Sequence, residues 1–357
     1  MIQVKRTIQK NTAAFLLIAM ANLVIAFLSF FVLPPKFFYD AAIIAYDKGN
    51  EIGYFGSYPL TILLYKISGF RYLPFPIIAL IQFPILIYIL YKIGVPDHFE
   101  KINVKNILVY LAIFMMAIFM SMPSKEFVTF LYVSPIVFMC LNNHISIKKT
   151  LFYTILLLVI FGAFYRPYYA LIPIIGGGMY AVSRITFKNK TITSIFYGLL
   201  IAVFLSFSHG IIKGKYLSEI SREVVNSDRV GSADANSIII SPVKTDTWYG
   251  ETIGIFYGFF TVNVPINGLK HILSPQIIVF IIWQLLLFYI LLVRFSKCLK
   301  DRKNYPKELL VLLIIFSFFI VQGVFEPDLG TAVRHKIGIF PLIYFALYYE
   351  HFRKKLQ

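Results

Sequence analysis

The sequence predicts an all-α protein, a polytopic bundle of about ten transmembrane helices, from three observations. Hydrophobic residues make up 59% of the 357 residues and charged residues only 14%, with a mean hydropathy of +0.75. A water-soluble domain cannot bury that much apolar surface. The apolar residues also form long runs separated by short polar segments. Because a bilayer core of about 30 Å needs roughly 20 apolar residues per helix, about ten spans fit, without a large soluble domain.

Ten apolar runs are predicted to cross the membrane as one integral domain. They cover residues 12–33, 73–95, 107–122, 127–141, 151–165, 168–182, 192–212, 273–295, 309–325 and 337–350. A shorter apolar piece, 58–69, is too brief to cross and contains Lys66, so we expect a re-entrant or interfacial helix there. One long outer segment, 213–271, becomes aromatic in its second half, which we expect to lie on or dip into the membrane.

The distribution of basic residues predicts the orientation of the chain. With the N terminus inside, the cytoplasmic side holds 20 of the 34 basic residues and 5 of the 17 acidic ones. This asymmetry follows the positive-inside rule, so both termini are predicted to be cytoplasmic. The net charge of +17 then reflects orientation and contact with anionic membrane lipid, and nucleic acid is not an expected partner.

Charges on the predicted outer side lie at helix ends, where each costs desolvation unless it is paired or used. In the first outer loop, Asp40, Asp47 and Glu51 would share one face if the loop is helical. A partly buried carboxylate beside an apolar cavity can act as a general base, and Asp40 lies next to an aromatic run. The alternative for Asp47 and Glu51 is that they solvate a loop helix. Arg71, just before the second span, adds a cation to this side.

Two short outer turns carry single charges or charged pairs between apolar helices. Lys125 and Glu126 lie between the third and fourth spans, in a turn so short that they must lie near membrane depth. They either neutralise one another or have a functional role. Arg166 lies among three tyrosines between the fifth and sixth spans, and either anchors the interface or binds a phosphate.

The last outer turn is the most densely charged. Glu326 and Asp328 precede Arg334, His335 and Lys336, three consecutive basic residues at the start of a predicted helix. Helix N termini and cations both favour anions, so this turn is a candidate site for a phosphate or diphosphate, with His335 available for proton transfer. The alternative is that Glu326 and Asp328 pair with Arg334 and Lys336 and stabilise the turn.

Two of these segments resemble known families. The first outer loop, with Tyr39-Asp40, Tyr46 and Tyr58-Pro59-Leu60, resembles the first extracytoplasmic loop of polyprenyl-linked GT-C glycosyltransferases. The late turn reads Asp-x-Gly-x-x-x-Arg-His-Lys-x-x-x-x-Pro from Asp328 to Pro341, and resembles the terminal basic motif of bacterial O-antigen and capsule repeat-unit polymerases of the Wzy type. The resemblance covers the topology and about four short outer segments.

This resemblance implies a GT-C-like bundle in a bacterial inner membrane and a polyprenyl-diphosphate-linked oligosaccharide as donor. It implies that Arg166, Arg334 and Lys336, supported by Lys125, hold the diphosphate, and that Asp40 deprotonates the acceptor hydroxyl. A regulator of chain length is an implied partner. The first loop lacks the tandem acidic pair of many GT-C enzymes, and we expect neither a metal nor a cofactor.

The leading hypothesis is therefore polymerisation of lipid-linked repeat units into surface polysaccharide at the outer face of the membrane. One alternative is a GT-C enzyme that adds a single sugar from a polyprenyl-phosphate donor. A second is a transporter or flippase of lipid-linked oligosaccharide, although the predicted spans are almost free of charge. The enzyme hypotheses require the outer charges, which include Asp40, Arg166 and Arg334, to converge.

Overall fold

A computed structural model describes residues 8–185, 187–227, 229, 237–271 and 273–356. The α-helices are α1 (Lys10–Val32), α2 (Tyr39–Tyr46), α3 (Ser57–Ile67), α4 (Phe75–Ile93), α5 (Val104–Phe119), α6 (Lys125–Leu141), α7 (Ile147–Phe164), α8 (Leu171–Val182), α9 (Lys190–Lys213), α10 (Val224–Ser227), α11 (Trp248–Asn263), α12 (Pro275–Lys300), α13 (Pro306–Phe325), α14 (Leu329–Gly338) and α15 (Phe340–Leu356). Short 3-10 helices cover Pro35–Phe38, Gly49–Glu51, Phe70–Tyr72, Pro167–Ala170 and Ile266–His271, and a π-helical turn covers Glu219–Glu223. These residues contain no β-strand, which confirms the predicted all-α class.

Every predicted membrane-crossing run corresponds to a helix. Among the described residues, six helices are long and apolar enough to span a bilayer, namely α1, α4, α7, α9, α12 and α13. Their number supports a multi-pass membrane protein, whereas ten crossings and the orientation stay predictions. The short run at 58–69 is helix α3, and its interfacial or re-entrant placement also stays a prediction.

The chain divides into two units. Unit 1 comprises Met1–His144 and Ile337–Gln357, and unit 2 comprises Ile145–Lys336. In unit 1, α1 packs on α4 and α5, and α15 packs on α4, α5 and α6. Hydroxyls on α15 join it to this unit: Tyr344 donates to the carbonyl oxygen of Gly94 at 2.6 Å, and Tyr348 donates to Asn106 Oδ1 at 2.6 Å.

A buried polar network in unit 1 fixes the turn between α5 and α6. Gln82, fully buried on α4, accepts a hydrogen bond from the Tyr65 hydroxyl at 2.6 Å. Its amide nitrogen donates to the carbonyl oxygens of Met120 and Met122 at 2.5 and 2.8 Å. Leaving such buried groups without partners costs about 1–3 kcal/mol, so the turn is held in one geometry. The Ser124 side chain accepts a hydrogen bond from Phe127 N and so caps the N terminus of α6. This cap fixes the position of Lys125, the first residue of the helix.

In unit 2, α13 is the central helix. It packs against α7, α8, α9, α11 and α12, and from Glu308 to Val324 every residue is buried. A helix that is apolar on all sides is suited to such a position.

Glycines let α11 approach α13 closely. A Cβ at Gly258 would overlap the carbonyl oxygen of Gly323, and a Cβ at Gly323 would lie 2.6 Å from the backbone of Phe259. Gly250, Gly254 and Gly258 recur every four residues along α11, the small-residue spacing that brings helix backbones together. The aromatic second half of the long outer segment is therefore a helix packed along the central helix of its unit.

Candidate functional site

The first outer loop does not form the continuous helix that would place three carboxylates on one face. Helix α2 ends at Tyr46, and the side chain of Asp47 accepts hydrogen bonds from Gly49 N at 2.7 Å and Asn50 Nδ2 at 2.5 Å. Aspartate side chains that bond local backbone in this way compete with helix formation. The expectation that Asp40, Asp47 and Glu51 share a helical face was therefore wrong. The Asn50 hydrogen bond is the main cause that lowers the pKa of Asp47.

Arg71 is engaged by the backbone and a carboxylate of this loop. Its Nε donates to the carbonyl oxygen of Ala45 at 2.8 Å, Nη2 donates to that of Asp47 at 3.5 Å, and Nη1 pairs with Glu51. The hydrogen bond from Arg71 is the main cause that lowers the pKa of Glu51. Through these contacts, Arg71 fixes the loop next to the segment that precedes α4.

Asp40 lies in a small polar cluster of unit 1 with Lys125 and Tyr58. The Tyr58 hydroxyl donates to Asp40 Oδ1 at 2.6 Å, and Lys125 Nζ lies 3.6 Å from the same oxygen. Lys125 Nζ also lies 3.7 Å from the centroid of the Tyr58 ring, a cation–π contact. Glu126 follows in the first turn of α6 and is buried, where the helix N terminus favours its carboxylate. The structure thus brings Asp40 and Lys125 together.

In unit 2, the last outer turn holds a carboxylate–imidazole pair. His335 Nδ1 lies 2.6 Å from Glu326 Oε1, which also accepts a hydrogen bond from Gln322 Nε2 at 2.9 Å. An ionised carboxylate can only accept, so beside an ionised Glu326 the proton of a neutral His335 ring is on Nδ1 and Nε2 is the acceptor. Glu326 is only 3% exposed, and its contact with Nδ1 orients the imidazole ring. This is the arrangement of a general base steadied by a carboxylate.

Asp328 organises the start of α14. Its Oδ1 accepts from Thr331 N at 2.7 Å, and its Oδ2 forms an ion pair with Arg229 Nη1 at 2.7 Å. Next to it, Ile239 N donates to the carbonyl oxygen of Pro327 at 2.8 Å, so residues 237–239 of the long outer segment lie along the turn. The basic partner of Asp328 is a residue that the sequence analysis did not consider.

Lys336 is completely buried at the end of α14. Its Nζ donates to the carbonyl oxygen of Val262 at 3.1 Å and lies 5.1 Å from the centroid of the Phe319 ring. Burial lowers the pKa of Lys336 to about 7, although the nearby charge of Glu326 opposes the shift. Arg334 is half-buried on the same helix.

Arg166 belongs to a second turn that reaches this cluster. It is 4% exposed, and its guanidinium lies 5.8 Å from the Tyr165 ring centroid. Two residues later, the Tyr168 ring lies 6.4 Å from the His335 ring and 5.4 Å from the Phe325 ring. The structure therefore brings the Arg166 turn and the Glu326–His335 turn together within unit 2.

Arg222, in the long outer segment, is a buried cation that the sequence pattern does not predict as a site residue. Arg222 is fully buried, and its Nη1 donates to the carbonyl oxygens of Gly254 at 3.1 Å and Gly323 at 2.9 Å. Across the described part of the chain, Nε and Nη2 of Arg222 have no hydrogen-bond partner. Burial lowers the pKa of Arg222, and Glu251 is the main charge that opposes the shift. In general, the Nε–Nη2 edge of a guanidinium can form two parallel hydrogen bonds with a phosphate or a carboxylate.

Glu251 is the second buried ion of this region. Its Oε1 accepts from Ser206 Oγ at 2.5 Å and from Ser218 Oγ at 3.0 Å. Burial raises the pKa of Glu251. The sequence holds a signal for Glu251 as a functional residue. It lies between Gly250 and Gly254 in an aromatic segment, where an acidic side chain has a high desolvation cost. The sequence gives less reason to expect that Arg222 is buried, since its neighbours Glu219, Ser221 and Glu223 are polar or charged.

The predicted site residues thus form two groups. Asp40, Asp47, Arg71, Lys125 and Glu126 belong to unit 1, whereas Arg166, Glu326, Asp328, Arg334, His335 and Lys336 belong to unit 2. Convergence of all of them in one cleft stays a prediction. Comparisons with protein-family models, curated proteins and solved structures yield no match for this chain.

Proposed function

We propose that this protein is a membrane glycosyltransferase that polymerises polyprenyl-diphosphate-linked oligosaccharide repeat units into surface polysaccharide at the outer face of a bacterial inner membrane. The observation that carries the proposal is the Glu326–His335 pair beside fully buried Lys336, in a helical unit with several membrane-spanning candidates. The pair supplies a base, and the cation supplies charge stabilisation.

The reaction needs both of these functions. The acceptor hydroxyl loses its proton, its oxygen forms a bond to the anomeric carbon of the donor, and the bond from that carbon to the diphosphate oxygen breaks. His335 Nε2 is suited to accept the proton when Nδ1 donates its own proton to Glu326 Oε1, 2.6 Å away. The polyprenyl diphosphate then leaves with its negative charge.

Fixed cations stabilise such a leaving group best where water is excluded. Lys336 and Arg166 are both buried, and Arg334 lies one turn from the end of the same helix as Lys336. Arg222 adds a buried guanidinium whose Nε and Nη2 have no hydrogen-bond partner among the described residues. This set supports a donor that carries a diphosphate. In unit 1, Asp40 beside Lys125 remains the other candidate base.

The test is His335→Ala in cells that depend on this gene for surface polysaccharide. We expect loss of long chains by about 100-fold or more, the contribution typical of a general base, with accumulation of single lipid-linked repeat units. Gel profiles of the polysaccharide and mass spectrometry of extracted lipid-linked sugars measure the two effects. His209→Ala is the matched control, since His209 is half-buried in the same unit and contacts the carbonyl oxygen of Lys215 at 2.7 Å.

The lipid-linked product distinguishes the hypotheses. Complete repeat units support a polymerase, whereas a repeat unit that lacks one sugar would indicate the single-sugar transferase. Polysaccharide of normal chain length in His335→Ala, with the protein inserted at wild-type level, would show that His335 is not the base.

A further inference from the structure

A groove between α7, α8 and α13 of unit 2 lies outside the candidate site. It has a volume of about 380 Å³, and its walls are mainly apolar, including Leu151, Leu158 and Leu313. Gly177 lies on its α8 wall, and a Cβ added there would meet no atom within 4 Å. The groove is therefore open because α8 lacks a side chain at this point.

The depth of the groove matches one leaflet of a membrane. Its lining residues on α7 run from Ile147 to Leu158, which is about 16 Å at 1.5 Å per residue. This is about half of a hydrocarbon core of about 30 Å. An acyl chain from a single leaflet therefore fits the length of the groove.

Among the described residues that line the groove, the cations lie at one end. Lys148 and Arg302 line it, where α7 and α13 begin and α8 ends. The guanidinium groups of Arg302 and Arg184 lie 5.5 and 5.8 Å from the centroid of the Tyr180 ring. The neighbouring basic residues are Lys149, Lys188, Lys303 and Lys307.

Two acidic residues lie near this end, and one of them, Glu308, is neutralised by a basic partner. Glu308 forms a buried ion pair with Arg294 at 2.6 Å, and Asp301 accepts a hydrogen bond from Asn304 Nδ2 at 2.8 Å. The surplus of positive charge at the end of an apolar groove is complementary to an anionic lipid headgroup. The Thr154 hydroxyl, buried in the groove wall, has no hydrogen-bond partner in the part of the chain described. Its position about 9 Å along α7 from Lys148 suits an ester carbonyl below a phosphate.

We propose that this groove binds an anionic phospholipid of the cytoplasmic leaflet, with the headgroup at Lys148 and Arg302 and one acyl chain against Gly177. The site is separate from the Glu326–His335 pair, so it is independent of the proposed reaction. A bound lipid fills the space beside the central helix and stabilises unit 2 by mass action.

The experiment measures thermal unfolding of the purified full-length protein in detergent with added lipid. Phosphatidylglycerol is expected to raise the midpoint by several degrees, and phosphatidylcholine with identical chains by less than half as much. Gly177→Phe, which fills the groove, should abolish the phosphatidylglycerol shift. Ile174→Phe is the matched control on α8, because Ile174 is 52% exposed and does not line the groove. Lys148→Ala with Arg302→Ala should reduce the shift to the phosphatidylcholine level.

Several results would overturn the proposal. Equal shifts from both lipids would remove the headgroup selectivity, and an unchanged shift in Gly177→Phe would place the lipid elsewhere. An equal shift from glycerol 3-phosphate would indicate a site for a free anion. Native mass spectrometry provides the second measurement: retention of phosphatidylglycerol in wild type and its loss in Gly177→Phe support the proposal, and retention of a polyprenyl phosphate instead contradicts it.

Discussion

At the scale of single residues, Lys336 shows how burial changes the chemistry of an ion. The sequence places it in a basic triplet, where it looks like its neighbours. The structure separates the three: Lys336 is fully buried, whereas Arg334 and His335 are partly accessible. Because burial brings its pKa to about 7, Lys336 is charged in slightly acidic conditions and largely neutral in slightly basic ones. Binding of a diphosphate nearby would favour the charged form.

The lowered pKa predicts a rise of stability with pH. Between pH 7 and about 10, the unfolded chain keeps a proton on Lys336 that the folded protein has released, so the free energy of unfolding increases with pH. The slope approaches about 1.4 kcal/mol per pH unit for one proton. Thermal or denaturant unfolding in detergent from pH 6 to 9 measures it. Lys336→Met should be more stable than the wild type at pH 6. Its free energy of unfolding should also lack the increase with pH that Lys336 contributes.

Lys270→Met is the control for this experiment, because Lys270 is exposed in the same unit. It should retain the wild-type dependence on pH. The same slope in Lys336→Met as in wild type would contradict the assignment.

Which residues are predictable from sequence depends on whether their partners are near in the chain. The charged turn at Glu326–Lys336 was visible because its ions lie within one short segment. Arg222 was not, because its backbone partners Gly254 and Gly323 are 32 and 101 residues away. The placement of Asp47 on a helical face was wrong because of a local contact. Its side chain accepts a hydrogen bond from Gly49 N, two residues later, and α2 ends just before it at Tyr46. No periodicity in the sequence describes either kind of contact.

At the scale of elements, the pairing of α11 with α13 explains the glycines of the long outer segment. Gly254 and Gly258 also lie against the guanidinium of Arg222, whose Nη2 would be 3.0 Å from a Cβ at Gly254. The glycines therefore make room both for the neighbouring helix and for a buried ion. Hydropathy alone predicts an aromatic segment here, but it does not predict which face meets the central helix.

Gly258→Ala is therefore expected to destabilise the protein. The new methyl group would overlap the carbonyl oxygen of Gly323, and overpacking of this kind costs about 1–3 kcal/mol. Gly177→Ala, measured without added lipid because Gly177 lines the groove described above, is the matched control: it adds the same group to a helix where no atom lies within 4 Å. That variant should be neutral or stabilised by about 0.4–1 kcal/mol. The midpoints of thermal unfolding of the two purified variants test the difference, and equal midpoints would contradict the close approach of α11 and α13.

At the scale of the whole molecule, the apolar runs predict helix positions well, since each of the ten runs corresponds to a helix. Whether each run crosses the membrane is harder to predict. The α-helix α8 has only 12 residues, and a 3-10 helix of 4 residues precedes it, whereas a straight crossing needs roughly 20 residues. Hydropathy reports burial in lipid and burial in protein alike. The division of the chain into two units has no counterpart in the pattern of apolar runs.

The predicted orientation can be tested with single cysteines and a membrane-impermeant thiol reagent on intact cells. Ile52→Cys and Ile266→Cys should be labelled, since Ile52 is 83% and Ile266 58% exposed and both lie in predicted outer segments. Ile102→Cys, at an equally exposed position on the predicted cytoplasmic side, should be labelled only after lysis. The native Cys140 and Cys298 are buried and give little background. Labelling of Ile102→Cys in intact cells would reverse the orientation.

Unit 2 is inserted between α6 and α15 of unit 1, and this has a consequence for biosynthesis. A ribosome has translated all of unit 2 before it reaches the tyrosines of α15, which bond Gly94 and Asn106. Until then, α4, α5 and α6 lack their contacts with α15, so the first unit is completed only after the second has been synthesised. Premature termination anywhere before residue 340 therefore leaves the first unit without α15 and its packing on α4, α5 and α6.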